Sequence, residues 1–166
     1  ACQAVLLDPW TQQTLWSRSF PAKSQPWPLP DEGRLAVLAP SGALVLLDLQ
    51  TGEEVFHASV DPEPNLDGLV VLASGSRYVV IANRPFAPTG PIFFGRQAPD
   101  MISVHGRLTA LDRQTGATVW TTEVLGQQLR LDLPMDLPVL AFYTIHQKQE
   151  QSKQGNIFHK VHEGLM

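Results

Sequence analysis

Apolar positions fall into short runs separated by Gly, Pro, Asp and Thr. RLAVLA at 34–39, ALVLLDL at 43–49 and EEVFHASV at 53–60 follow one another, with Pro40-Ser41-Gly42 and Gln50-Thr51-Gly52 between them. Runs this short and bounded by turn formers predict strands rather than helices. The runs are almost continuously apolar, which predicts strands covered on both faces. The same reading predicts strands at 69–74 and 77–83, hinged at Gly75-Ser76, and at 104–111 and 117–124. Residues 4–7 and 14–20 read as a shorter pair, and 139–146 with 157–162 as strands joined by a polar tip at 147–155. PAKSQPWPLPDEG at 21–33 holds four prolines, so a crossover is expected there, with Trp27 packed inward. A second crossover, with at most an inner strand, is expected at 127–138.

One stretch recurs. LTALDRQTGATVW (108–120), LVLLDLQTGEEVF (44–56) and AVLLDPWTQQTLW (4–16) share an Asp, a Thr three positions later and an aromatic eight positions later. Asp112, Asp48 and Asp8 thus go with Trp120, Phe56 and Trp16. Each Asp carboxylate can accept backbone N–H groups and close a turn, so a turn-capping role is expected rather than acid–base chemistry. Gly116 and Gly52 supply the positive φ of a tight hairpin. Gln12 stands in their place in the first copy, which predicts a different or strained turn. The aromatic, Trp120 above all, is expected to be buried between one sheet and the next. A sheet of this kind cannot bury both faces alone, and stacking sheets around an axis solves that.

Ala110-Leu111-Asp112, Thr115-Gly116 and Trp120 resemble the tryptophan-docking repeat of quinoprotein-like propellers. That family includes pyrroloquinoline-quinone dehydrogenases and bacterial scaffold propellers of outer-membrane assembly. The resemblance implies an all-β fold, a segment of a β-propeller built from four-stranded antiparallel blades. Propellers hold about four to eight blades, at roughly 40 to 45 residues each in the best-known class. The expected division is 4–20 as the end of a blade, 34–60 as a blade, 69–124 as a blade with an insertion at 84–103, and 129–166 as an incomplete blade. The insertion explains why Asp48 and Asp112 lie 64 positions apart when Asp8 and Asp48 lie 40 apart. Both ends are expected to cut through blades of a larger ring.

Composition narrows the function. Twelve basic and sixteen acidic residues give a net charge of −4, which argues against nucleic acid and anionic membrane surfaces. No apolar run reaches transmembrane length, and no basic start with an apolar stretch marks a leader. Cys2 is the single cysteine, so no internal disulfide forms, and a buried or incidental thiol is expected. His159 and His162 share a strand at an odd separation, which sets them on opposite faces and argues against a shared metal. His57 is expected on a strand surface and His105 at a strand start. Asp61, Glu63, Asn65 and Asp67 before Gly68 are a poor match to a calcium loop, stiffened by Pro62 and Pro64, so a solvated connection is expected. Glu53 and Glu54 are expected to be solvated as well. Nucleophile-elbow, Walker and dinucleotide motifs are absent.

No catalytic, cofactor or metal residue is therefore expected, and no cofactor. The resemblance implies a non-catalytic scaffold or binding module in a larger bacterial, extracytoplasmic protein. Its partners would be a protein or the neighbouring blades and domains of the same chain. The alternatives are part of a pyrroloquinoline-quinone-dependent dehydrogenase, which the family usually builds with calcium and adjacent cysteines, and a sugar- or peptide-binding propeller. Phe86, Ile92, Phe93 and Phe94, with Arg84 and Arg96, make the insertion the expected place for a partner contact, or else for packing back on the blade edge.

Overall fold

In the computed structural model the described residues are 1–86, 101–131, 140–151 and 157–165. The strands are β1 (Cys2–Leu7), β2 (Thr14–Phe20), β3 (Gln25–Leu29), β4 (Arg34–Leu38), β5 (Ala43–Asp48), β6 (Glu54–Ser59), β7 (Gly68–Ser74), β8 (Arg77–Asn83), β9 (Met101–Asp112), β10 (Thr118–Arg130), β11 (Phe142–Gln151) and β12 (Ile157–Leu165). One 3₁₀ turn, Pro30–Glu32, is the helical element among the described residues. The fold is all-β, a segment of a β-propeller with four-stranded antiparallel blades.

The chain divides into two compact units, Ala1–Pro85 with Gly106–Glu123, and Phe86–His105 with Val124–Met166. The first unit holds the β1–β2 hairpin, the sheet β3-β4-β5-β6, and β7-β8 continued by the adjoining parts of β9 and β10. Register carries the alternation through each sheet. Ala36, Leu46 and Phe56 are cross-strand partners, as are Leu38, Leu44 and Ala58. In the next sheet Ala73, Tyr78 and Leu111 align, and so do Leu69 with Ala82 and Val71 with Val80. These two faces form one core, with Leu29 and Leu66 also buried in it and Trp27 and Phe56 packed against it. The opposite face of the second sheet is apolar too, with Val70, Leu72, Ile81, Leu108 and Ala110 all buried. That is the burial on both sides that the continuous apolar runs predict.

The proline-rich segment departs from expectation. Gln25–Leu29 is a strand, at the edge of its sheet and paired with β4. Pro26 and Pro28 alternate with Gln25, Trp27 and Leu29, so the missing N–H groups fall on the open edge and cost no ladder bond. Trp27 is half-buried against the core, as expected.

In the second unit, β10 continues to Arg130, so residues 127–130 belong to that strand rather than to a crossover. Gln128 pairs with Tyr143 and Leu129 with Phe142. β11 and β12 then form an antiparallel hairpin from Tyr143↔Leu165 to Gln151↔Ile157. Residues 87–100, which include Ile92, Phe93, Phe94 and Arg96 of the insertion, lie outside the described residues.

Candidate functional site

Turn chemistry comes first. Asp48 Oδ1 accepts from the N–H of Gln50 and of Thr51, both at 2.9 Å, and from Thr51 Oγ1 at 3.2 Å. Asp112 Oδ1 repeats this with Gln114, Thr115 N–H and Thr115 Oγ1 at 2.9, 2.8 and 3.0 Å. Asp8 Oδ1 takes the N–H of Trp10 and Thr11 at 2.8 and 3.3 Å. The Thr hydroxyl oxygen then accepts the N–H two residues on in every copy. These donors hold the three carboxyls below the usual carboxylate range, chiefly the N–H of Trp10 for Asp8, of Thr51 for Asp48 and of Thr115 for Asp112. The carboxylates are turn caps, as expected.

The first turn is the same turn as the other two. Gln12 sits at φ 59°, beside 70° at Gly52 and 71° at Gly116, and its N–H bonds the Asp8 carbonyl as the two glycines bond theirs. Gln12 therefore carries a side chain in the left-handed region, the strained alternative of the two expected.

The glycines are also contact points. A Cβ on Gly52 would lie 2.7 Å from the ring of Trp16, whose Nε1 donates to the Leu49 carbonyl at 2.9 Å. The aromatic of the first hairpin is thus docked on the turn of the next sheet. Gly116 sits instead against the β6 backbone, with the His57 carbonyl 2.9 Å from its would-be Cβ. Phe56 packs edge-on against Tyr78 with centroids 5.2 Å apart. Trp120 is half-buried.

A second group links the sheets at the turns. Glu32 Oε2 accepts the Tyr78 hydroxyl at 2.9 Å and Arg34 Nη1 at 3.2 Å, while Glu32 Oε1 takes Arg113 Nη2 at 2.5 Å. The Arg113 guanidinium lies 4.6 Å from the centroid of the Tyr78 ring. Burial, then the bond to Glu32, pushes the Tyr78 hydroxyl above its ordinary pKa. Sequence reading missed this cluster. Its one local signal is Arg113, a charged residue at the position of Leu49 in the previous copy.

The acidic loop is not simply solvated. Glu63 is 7% exposed and pairs with Arg84 at 3.2 Å, and Arg84 also meets Glu123. Asp61 pairs with Arg107 at 3.2 Å. The arginines arrive from just past the end of β8 and from β9, so the loop composition alone reads as water-facing. Glu53 and Glu54 are exposed, and Glu54 lies 3.4 Å from the exposed His57. His105 stacks on Phe86 with centroids 4.6 Å apart, inside β9 rather than at its start. His146 and His162 are register partners on β11 and β12. Cys2 is half-buried. Sequence reading also passed over Trp10, which is 91% exposed at the first turn beside exposed Leu7 and Leu15.

Among the described residues, no group of three or more His, Cys, Asp or Glu is arranged to hold a metal ion. The turn carboxylates are taken by backbone donors, the Glu32 and Glu63 carboxylates face arginines, and a lone Cys2 cannot form a cysteine pair. Those donors, among the described residues, do not by themselves assemble a calcium–quinone centre. No helix among the described residues is long and apolar enough to cross a membrane.

No curated protein matches the chain significantly. A family model described as outer membrane protein assembly factor BamB, built on the pyrroloquinoline-quinone-type repeat, matches residues 3–138. The match takes in all three Asp–Thr–aromatic units and both docked turns, and the chain belongs to that family.

Proposed function

We propose that the chain is a non-catalytic scaffold segment of a propeller that holds protein partners during outer-membrane protein assembly, on the periplasmic side of the cell envelope. The observation that carries this reading is how the repeated residues are used. Asp8, Asp48 and Asp112 cap turns, Trp16 docks a hairpin, and Glu32 with Arg113 joins two sheets. Each chemically capable group of the repeat is spent on building the scaffold. The family description supplies the process, and the exposed Trp10, Leu7 and Leu15 offer apolar contact area for a polypeptide.

Deletion of the gene in its host tests the reading. Outer-membrane β-barrel proteins should fall in abundance and recover on complementation with the full-length protein. Unchanged barrel levels, together with dye-linked dehydrogenase turnover by the full-length protein given pyrroloquinoline quinone and calcium, would replace the scaffold reading with the enzyme one.

A further inference from the structure

The two sheet-to-sheet junctions of the first unit are built from the same positions with different residues. At the first junction the aromatic is Trp16, and its N–H is satisfied by the backbone of Leu49, one residue past Asp48. At the second the aromatic is Phe56, which has no N–H to give. The residue one past Asp112 is Arg113, and the position that pairs with the residue before that Asp is Tyr78. Its counterpart in the previous sheet is Leu35, paired with Leu47. Trp, Leu and Leu at the first junction thus become Phe, Tyr and Arg at the second. The polar group has moved from the docking aromatic to the sheet that receives it. There the Tyr78 hydroxyl and Arg113 both reach back to Glu32 of the preceding sheet, while Phe56 packs on the Tyr78 ring.

We infer that Glu32, Tyr78 and Arg113 form a transposed lock, which substitutes at the second junction for the tryptophan hydrogen bond of the first. The lock positions one blade against the next. It also accounts for a carboxylate, two guanidinium groups and a phenol brought together: Arg34 Nη1 donates to both Glu32 Oε2 and the Tyr78 hydroxyl and completes the pairing. Both oxygens of Glu32 are thereby occupied from three separate strands or turns.

The inference predicts that the two locks are interchangeable but not additive. In the full-length protein, Tyr78→Phe and Glu32→Gln should each lower the urea midpoint and speed deuterium uptake in β6 and β8. The pair Tyr78→Leu and Arg113→Leu should lower the midpoint further. Adding Phe56→Trp to that pair rebuilds the first-junction residues and should recover most of the loss, with a new indole bond to the carbonyl of residue 113 seen by structure determination. Phe56→Trp alone should give no gain. If the pair does not fold by itself, recovery of a folded triple variant carries the same result. A triple variant no more stable than the pair, a gain from Phe56→Trp equal in both backgrounds, or no effect of Tyr78→Phe and Glu32→Gln would each overturn the inference.

Discussion

The indole N–H of Trp16 reaches the carbonyl of Leu49 over 2.9 Å, and this one bond ties the first hairpin to the turn of the following sheet. It separates two contributions that a tryptophan makes. Trp16→Phe removes the donor and keeps most of the ring, and should cost about 1 kcal/mol. Trp16→Ala also removes the ring from Gly52, and should cost roughly 3 kcal/mol, the low end for Trp truncation because the side chain is half-buried. Denaturant midpoints of the full-length protein measure both. Equal losses would mean that the ring contributes nothing beyond its hydrogen bond.

Glycine substitutions distinguish strain from contact. Gly52 and Gly75 both lie at positive φ, 70° and 52°, but a Cβ on Gly75 meets nothing within 4 Å. Gly75→Ala should therefore cost only the left-handed penalty, roughly 1–2 kcal/mol. Gly52→Ala adds a clash with the Trp16 ring and should cost roughly 1–3 kcal/mol more. Combining Gly52→Ala with Trp16→Ala should cost less than the sum of the two, because the clash disappears with the ring. Gln12→Gly runs the other way and should stabilise by up to about 1 kcal/mol, since the strained φ is relieved at the cost of a freer unfolded chain.

The turn carboxylates predict an acid limb. Asp8, Asp48 and Asp112 have folded pKa values below their unfolded ones. Their contribution is therefore fully present above the unfolded carboxylate pKa, about 3.9, and is lost as pH falls through the lower folded values. Asp48→Asn and Asp112→Asn should flatten stability against pH below about pH 4 and leave its slope at neutral pH unchanged. Because these turns are open to water, Asp112→Ala should cost less than Trp16→Ala. An exposed change such as Gln114→Ala should be within about 0.5 kcal/mol of neutral. Thermal melts between acidic and neutral pH provide the measurement.

These effects divide by what the sequence can express. The Asp–Thr turns were legible because donor, acceptor and positive-φ residue lie within six consecutive positions, and three copies repeat the Asp and Thr, two of them with the Gly. The strands between them were legible for the same local reason. Gln25–Leu29 was not, because two prolines exclude a central strand and only the sheet order reveals an edge. The continuation of β10 past residue 124 was hidden in a segment whose polar residues read as connection. The Glu32–Tyr78–Arg113 cluster joins residues far apart in the chain, and no periodicity encodes such a meeting. Docking of Trp16 was expected in kind, through Trp120, yet which turn receives it, and by which carbonyl, is a tertiary fact.

Arg84 supplies the last prediction. Its Nε lies 3.2 Å from Glu63 Oε2, and its Nη2 meets Glu123. The two carboxylates differ in setting: the Glu63 side chain is 9% exposed and that of Glu123 50% exposed. Arg84→Met keeps the stem packing and removes the charge, which leaves Glu63 a nearly buried carboxylate without its cation. Breaking a buried pair in this way typically costs about 3–5 kcal/mol, and the partial exposure of Arg84 places the expected loss near 3. Glu123→Gln breaks only the solvent-facing pair and should cost less than about 1 kcal/mol. Asp61→Asn, at a carboxylate 65% exposed beside Arg107, should behave like Glu123→Gln. Replacing both partners, Arg84→Met with Glu63→Met, should recover much of the loss, because no uncompensated charge remains inside. Raising the salt should weaken the Glu123 and Asp61 effects and leave the Arg84→Met loss nearly intact. Denaturation of the four variants at low and high salt resolves the ranking. Equal losses for Arg84→Met and Glu123→Gln, or a double Met variant no better than Arg84→Met, would mean that Glu63 reaches water in solution and that its burial carries no energetic weight.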